Sequence, residues 1–274
     1  MPLSGKVALI TGAGGGLGRG IAQAFARAGA QVVVSDIDEA TLQATAQTLQ
    51  DFGTPCLALP CDVSQGEAVE RLFAQVQQHG RSPDILVNNA ARVPNSPAES
   101  ERRNRHYAHV TQAVPRGALG ITTSLSDDDW LKWWDVNVHG AFYCTRAALR
   151  HMQPRRSGQI VNIASVAGLG PYSMHSPGYS ASKAALISLT QTVAYDVAGA
   201  QIGVNAIACG GVMTPAFQTY LDACSHAQRE QLMQMVPMGR LGEPDEYARL
   251  AVFLAAGQHY LIGQVISPNG GLVI

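Results

Sequence analysis

The sequence predicts an α/β protein: a doubly wound parallel sheet of about seven strands with helices on both faces. Three observations point there. Short apolar runs alternate with amphipathic stretches almost from end to end. The apolar runs lack polar alternation, so the sheet is expected to be buried on both faces and therefore parallel. A glycine-rich turn, Thr11–Gly18, joins the first strand to the first helix. The chain has 274 residues and 46% hydrophobic content, enough to bury one large core. With no internal repeat and no linker, residues 1–274 are expected to form a single domain.

The elements follow in order. Val7–Thr11 reads as a strand and Leu17–Ala28 as a helix. Val32–Ser35 is the second strand and Glu39–Asp51 the next amphipathic helix. Cys56–Pro60, the helix Gly66–His79 and the strand Ile85–Asn88 complete the first half. Later come a helix over Asp127–Met152, the strand Gln159–Ala164, the helix Tyr179–Ala198 and the strand Gly203–Ala208. Helices over Ala216–Met235 and Pro244–Ala256 precede a last strand, Gln264–Ser267. The exception is Arg92 to about Ser126, with Pro94, Pro97, Pro115, Gly117 and Gly120 and little periodicity. It reads as a long inserted loop, and loops of that length tend to be lids or binding segments. Its anchors lie at the sheet edge where such folds bind ligands, so a lid or pocket wall is expected. Arg102, Arg103 and Arg105 are more often a solvated face, partly offset here by Glu99 and Glu101, and less often a site for a carboxylate, sulfonate or phosphate on a ligand.

Composition excludes several classes. A net charge of −1 and 14% charged residues leave no basic field for nucleic acid. Five cysteines without a CxxC pair read as reduced thiols of a cytoplasmic protein. The eight histidines make no HExxH; His106 and His109 could share a helical face, but no metal is expected. The N-terminus runs straight into a strand, and no apolar stretch is long enough for a membrane, so neither a signal peptide nor a span is expected.

The turn fits Thr-Gly-x-x-x-Gly-x-Gly through Gly12, Gly16 and Gly18, with Gly15 and Leu17 between them. Glycines let the backbone approach a pyrophosphate, which then sits on the helix N-terminus. Asp36, followed by Ile37, ends the second strand, where a carboxylate can accept from the adenosine ribose hydroxyls and repel a 2′-phosphate. No arginine or lysine lies in Val32–Glu39. NAD is therefore expected over NADP. Asp62-Val63 could meet the adenine edge, or Asp62 could simply open the helix before Ser64.

The chemistry is carried by Asn137, Ser165, Tyr179 and Lys183. Tyr179 would exchange a proton with a substrate oxygen, and Lys183, four residues on along one helix face, would draw the phenol pKa down. The Ser165 hydroxyl would donate to that oxygen as charge develops. Trp130, Trp133 and Trp134 read as a packing face.

These residues resemble the short-chain dehydrogenase/reductase family, over Lys6 to the C-terminus apart from the long loop. The resemblance implies a Rossmann-type fold and hydride transfer. It implies that Lys183 holds the nicotinamide ribose and that Asn137 holds a water relaying protons from Lys183. Asn88-Asn89-Ala90-Ala91 is similar to the family's Asn-Asn-Ala-Gly. Cys209-Gly210-Gly211-Val212-Met213-Thr214 is similar to its Pro-Gly segment. Asn89, Ala90, Ala91, Tyr179, Lys183, Gly210, Val212 and Thr214 are thereby cofactor contacts. Ala91 and Cys209 depart from the pattern, the latter loosening its turn. The expected function is NAD(H)-dependent interconversion of a secondary alcohol and its ketone; alternatives are an NAD-binding scaffold or sensor, a 3-oxoacyl-type reductase, or an epimerase-like enzyme. A homotetramer is implied, packed through Asp127–Met152 and Tyr179–Ala198 with the tail Gly271–Ile274 at an interface.

Overall fold

The computed structural model describes every residue except Phe52, Thr54 and 111–116. Seven parallel strands form one sheet: β1 (Val7–Thr11), β2 (Gln31–Asp36), β3 (Cys56–Pro60), β4 (Ile85–Asn88), β5 (Gly158–Ser165), β6 (Ile202–Cys209) and β7 (Val265–Ile266), in the order β3-β2-β1-β4-β5-β6-β7. Between them run α1 (Gly16–Arg27), α2 (Glu39–Gln50), α3 (Gly66–Gln78), α4 (Pro97–Val110), α5 (Asp127–Trp134), α6 (Ala141–Arg155), α7 (Pro177–Val197), α8 (Pro215–Ala223), α9 (His226–Gln234) and α10 (Pro244–Ala256). This is a Rossmann-type α/β fold. The strand order reverses between β1 and β4, which places the crevice where such sheets bind ligands beyond Thr11 and Asn88.

Strand side chains alternate across the sheet, and both faces are apolar. Ala8, Ile10, Val32, Val34, Ile85 and Val87 pack with Ile21 and Phe25 of α1, Leu42 and Leu49 of α2, and Leu254 of α10. Leu9, Val33 and Leu86 face the other way, against Leu72 and Phe73 of α3 and Cys144 and Met152 of α6. Burial on both faces explains why the strands read as unbroken apolar runs.

Two helical stretches divide where the sequence pattern ran on. The expected helix Asp127–Met152 is α5, then one π-helical segment, Asp135–Gly140, then α6. Gly140 is the tight point, because a Cβ there would lie 2.8 Å from Val63 Cγ2. Ala216–Met235 is α8 and α9, split at Ser225, whose hydroxyl and Gln228 form a capping box.

The expected long loop contains a helix, α4, over Pro97–Val110. Pro115, named above among the prolines of this stretch, lies outside the described residues. Ser96 Oγ accepts from Glu99 N at 3.2 Å, and Pro97 opens the helix. Apolar periodicity is missing because the helix buries polar side chains. Glu99 is 1% exposed and bonds Arg102 at 2.9 Å. Arg102 also bonds Asp129 of α5 at 2.8 Å, and Lys132 bonds the same carboxylate. The triad ties the insert to α5. Removing one partner of a buried ion pair leaves the other charge uncompensated, at about 3 kcal/mol or more. Arg102→Leu should lower urea-unfolding stability by about that much and raise deuterium uptake across 97–110. Unchanged stability and uptake would show that other contacts hold α4.

Candidate active site

The C-terminal ends of β1 and β4 are cross-linked before any ligand is considered. Thr11 Oγ1 accepts from Asn89 N at 3.2 Å and Ala90 N at 3.1 Å, and donates to Val87 O. Asn89 Nδ2 donates to Thr11 O and Gly12 O at 3.0 and 2.8 Å. Gly12 has φ of +63°, and a Cβ there would lie 2.6 Å from Ala90 Cα. At Gly18 a Cβ would overlap the Gly12 carbonyl oxygen. Gly15, by contrast, faces open space. A cradle with these contacts fits a pyrophosphate at the N-terminus of α1.

Asp36 is aimed into the cradle. Its Oδ2 accepts from Gly14 N at 2.8 Å and its Oδ1 from Asp38 N at 3.1 Å. Beyond it, Ile37, Pro60, Cys61, Asp62, Ala68, Arg71, Leu72 and Gln75 line a cavity of about 290 Å³. Ile37 is 70% exposed beside this cavity, an apolar face suited to a base. Asp62 Oδ1 accepts from Ser64 N and Oγ, and Gln65 is the residue capping α3. Arg19 escaped the sequence reading. Its guanidinium donates to Gly14 O at 2.6 Å and Thr45 Oγ1 at 2.8 Å. Asp36 and Arg19 therefore meet at one glycine, although 17 residues separate them in sequence.

The opposite wall is the turn after β6. Thr214 Cγ2 lies 3.4 Å from where a Gly16 Cβ would be. Cys209, expected to loosen this turn, ends β6 in register with Ser165 and is buried. The turn is held by Gly210 N to Pro268 O, Met213 N to Gly242 O and Gly242 N to Gly211 O, and Val212 bridges Gly242.

Ser165, Tyr179 and Lys183 converge at the end of β5. Ser165 Oγ accepts from Ala167 N at 3.1 Å and hydrogen-bonds the Tyr179 hydroxyl. Lys183 is 3% exposed; its Nζ donates to Ile163 O at 2.8 Å and sits 5.9 Å from the Tyr179 ring centroid. Tyr179 is partly exposed as a residue, yet atoms packed round its oxygen push the phenol up to about 12 by desolvation, against the Ser165 hydrogen bond. Desolvation brings Lys183 down to about 8. The lowering expected from Lys183 does not appear at this phenol, whose position is set first by burial. Asn137 Oδ1 accepts from Arg92 N at 2.8 Å, while Nδ2 donates to Arg92 O at 3.2 Å and Ser182 Oγ at 3.0 Å. Its side chain thus ties the start of the insert to α7, through the widened π turn. Trp133 packs its buried ring edge-on to Tyr179 at 5.7 Å, so one of the three tryptophans does reach the site. Among the described residues no group of three or more His, Cys, Asp or Glu could hold a metal.

Residues 6–224 match the short chain dehydrogenase family. This chain is a short-chain dehydrogenase/reductase. It is 33% identical to the 3-oxoacyl-(acyl-carrier-protein) reductase FabG of Thermotoga maritima over 279 aligned positions, with all of both chains covered. It is 34% identical to the (2S)-[(R)-hydroxy(phenyl)methyl]succinyl-CoA dehydrogenase subunit BbsD of Thauera aromatica, covering 99% of this chain and 98% of that one. A provisionally named gluconate dehydrogenase from Agrobacterium tumefaciens superposes with a TM-score of 0.85 at 30% identity, covering 99% and 98%. A provisionally named 2-deoxy-D-gluconate 3-dehydrogenase from the same organism, with NADP bound, gives 0.81 at 29%, covering 98% and 97%. Within this dehydrogenase/reductase the Gly12–Gly18 contact is the sharpest requirement on the cradle. Gly18→Ala should abolish NADH binding measured by fluorescence titration and lower Tm. Retention of normal affinity would show that the loop can shift aside.

Proposed function

We propose that this chain is an NAD(H)-dependent oxidoreductase that interconverts a secondary alcohol and its ketone. The observation that supports this reading is the convergence of Ser165, Tyr179 and Lys183 at the C-terminal end of β5, in the same parallel sheet whose β1 runs into the glycine turn that Asp36 contacts. Bound nicotinamide would supply or accept the hydride. The chain does the rest. In reduction Tyr179 gives its proton to the carbonyl oxygen while Ser165 donates a hydrogen bond to the charge growing there. In oxidation the phenolate takes the alcohol proton. Lys183 would hold the nicotinamide ribose, and Asn137, through its grip on Arg92 and Ser182, would hold the turn from which a proton relay to Lys183 leaves.

A 3-oxoacyl thioester is one ketone of this class, and relatives named 3-oxoacyl-(acyl-carrier-protein) reductase support that subtype. Other relatives are named a (2S)-[(R)-hydroxy(phenyl)methyl]succinyl-CoA dehydrogenase subunit and a gluconate dehydrogenase, whose substrates are also hydroxy or oxo compounds. Gly12, Gly15, Gly16, Leu17, Gly18, Asp36, Ile37, Asp62, Val63, Asn89, Ala90, Ala91, Gly210, Val212 and Thr214 would line the dinucleotide. The helix α4 of the insert would form the outer wall of the substrate side. The whole chain would act as one domain in a cytoplasmic homotetramer. No helix among the described residues is long and apolar enough to cross a membrane.

Asp36 should give a preference for NAD(H) in kcat/KM. Asp36→Ala should relax it toward NADP(H), because Arg19 then stands as the local cation, and Asp36→Ala/Arg19→Ala should lose that gain. Equal use of both cofactors by the unmutated enzyme contradicts the Asp36 reading.

Tyr179→Phe should cost roughly 10²–10⁴-fold in kcat with NADH still bound. Because the phenol is held high, alcohol oxidation should rise with pH through the neutral and alkaline range as phenolate accumulates. Ketone reduction needs the protonated form, so it should stay level at neutral pH and fall only in strong alkali. Near-normal turnover by the phenylalanine variant, or oxidation insensitive to pH with chemistry rate-limiting, would remove Tyr179 from the acid–base role.

A further inference from the structure

The three arginines of α4 have different partners. Arg102 is neutralised by Glu99 and Asp129, and Arg105 pairs with Glu101 at 3.5 Å on the outer face. Arg103 has no carboxylate partner among the described residues. Its Nη2 donates to Pro94 O at 2.7 Å, its Nε approaches His175 Nε2 at 3.4 Å, and its guanidinium carbon lies 4.5 Å from the centre of the Tyr220 ring. Each of those neighbours belongs to an element that builds the site. Pro94 follows the Asn89–Ala91 segment, His175 precedes Tyr179 by four residues, and Tyr220 sits on α8, whose capping residue Thr214 faces the glycine cradle.

We propose that Arg103 recognises a carboxylate on the substrate, so that this enzyme acts on hydroxy acids or oxo acids. The inference rests on the oxidoreductase reading and adds its substrate class. A partly buried cation surrounded by neutral groups lacks the counter-charge that burial calls for. A guanidinium fork fits a carboxylate in two parallel hydrogen bonds. None of the groups in contact with Arg103 is an anion, although Glu99, one turn back on α4, keeps a buried Oε2 without a hydrogen-bond partner. His175 is pushed down to about 3, first by burial and then by the charges of Arg103, His106 and Arg102, so it is a neutral acceptor. Nearby buried groups also lack partners: Ser176 Oγ, next to His175, and His106 Nε2, one turn along α4 from Arg103. In this arrangement the carbonyl carbon lies at Tyr179 and the carboxylate points toward α4. The helix α4 then serves as a reader of charge.

The test uses the full-length enzyme and three ketones, 3-oxobutanoate, 4-oxopentanoate and 5-oxohexanoate, each beside its methyl ester. Reduction is measured with NADH, and binding of the same compounds to the NADH complex by calorimetry. At least one acid should exceed its ester by roughly ten- to a hundredfold in kcat/KM, the range expected for hydrogen bonds to charged groups. Arg103→Gln should bring that ratio to about one, Arg103→Lys should keep part of it, and Arg105→Gln should leave it unchanged. The lysine variant retains the charge, so it reports even where the glutamine variant fails to fold. Acids no better than esters in both kinetics and binding, or a ratio untouched by Arg103→Gln, would overturn the proposal. Acid-selective binding lost in Arg103→Gln but without turnover would uphold charge recognition and sink the hydride-transfer reading instead.

Discussion

Everything at the chemical end depends on the burial of Tyr179 and Lys183 against the end of β5. Desolvation acts on the two groups in opposite directions, raising the phenol and lowering the amine, and so favours the neutral form of both. The Ser165 hydroxyl is the one hydrogen-bonding group opposing this at the phenol. At neutral pH the phenol therefore keeps its proton, while the amine, brought down to about 8, is still mostly ammonium. An acid that keeps its proton until charge develops beside it suits reduction, whereas oxidation needs added positive charge near the phenol. A cationic nicotinamide ring is such a charge. The buried carbonyl of Ile163, which takes the Lys183 ammonium, and the edge of Trp133, which fixes the Tyr179 ring, hold the two side chains in register.

The cofactor end follows from closeness of backbone. Gly12 against Ala90, and Gly18 against Gly12, bring two strand ends together, and the Thr11–Asn89 hydrogen bonds lock them there. That lock sets where β4 hands over to the insert, and Asn137 grips the next residues through Arg92. The glycine turn, α7 and the start of the insert are therefore mechanically connected through one short stretch, 88–92.

Much of this was legible in the sequence, and the reasons differ by element. Strands such as Ala8–Ile10 and Val32–Val34 showed as apolar runs because both their faces are covered. Tyr179 and Lys183 showed because four residues bring side chains to one face of a helix. The helix α4 did not show, because what it buries is Glu99 and His106 rather than a stripe of leucines. The π turn at Asn137 hid inside a continuous helical pattern, with only Gly140 as a mark of the close approach to Val63. Arg19 was invisible to a search along β2, since it reaches Asp36 through Gly14; its place directly after Gly18 was the available signal. The upward shift of the Tyr179 phenol could not be read from spacing at all, because it comes from atoms distant in the chain.

The central claim is that burial, not the neighbouring lysine, sets the resting state of Tyr179. Ultraviolet difference titration of the phenol, comparing the unmutated protein with Tyr179→Phe, measures it directly, first without cofactor and then with NAD⁺. The account predicts ionisation up near about 12 in the protein alone and a clear fall when NAD⁺ adds positive charge beside it. A Tyr179 that ionises below the ordinary tyrosine value without cofactor, or that does not move when NAD⁺ binds, would contradict it.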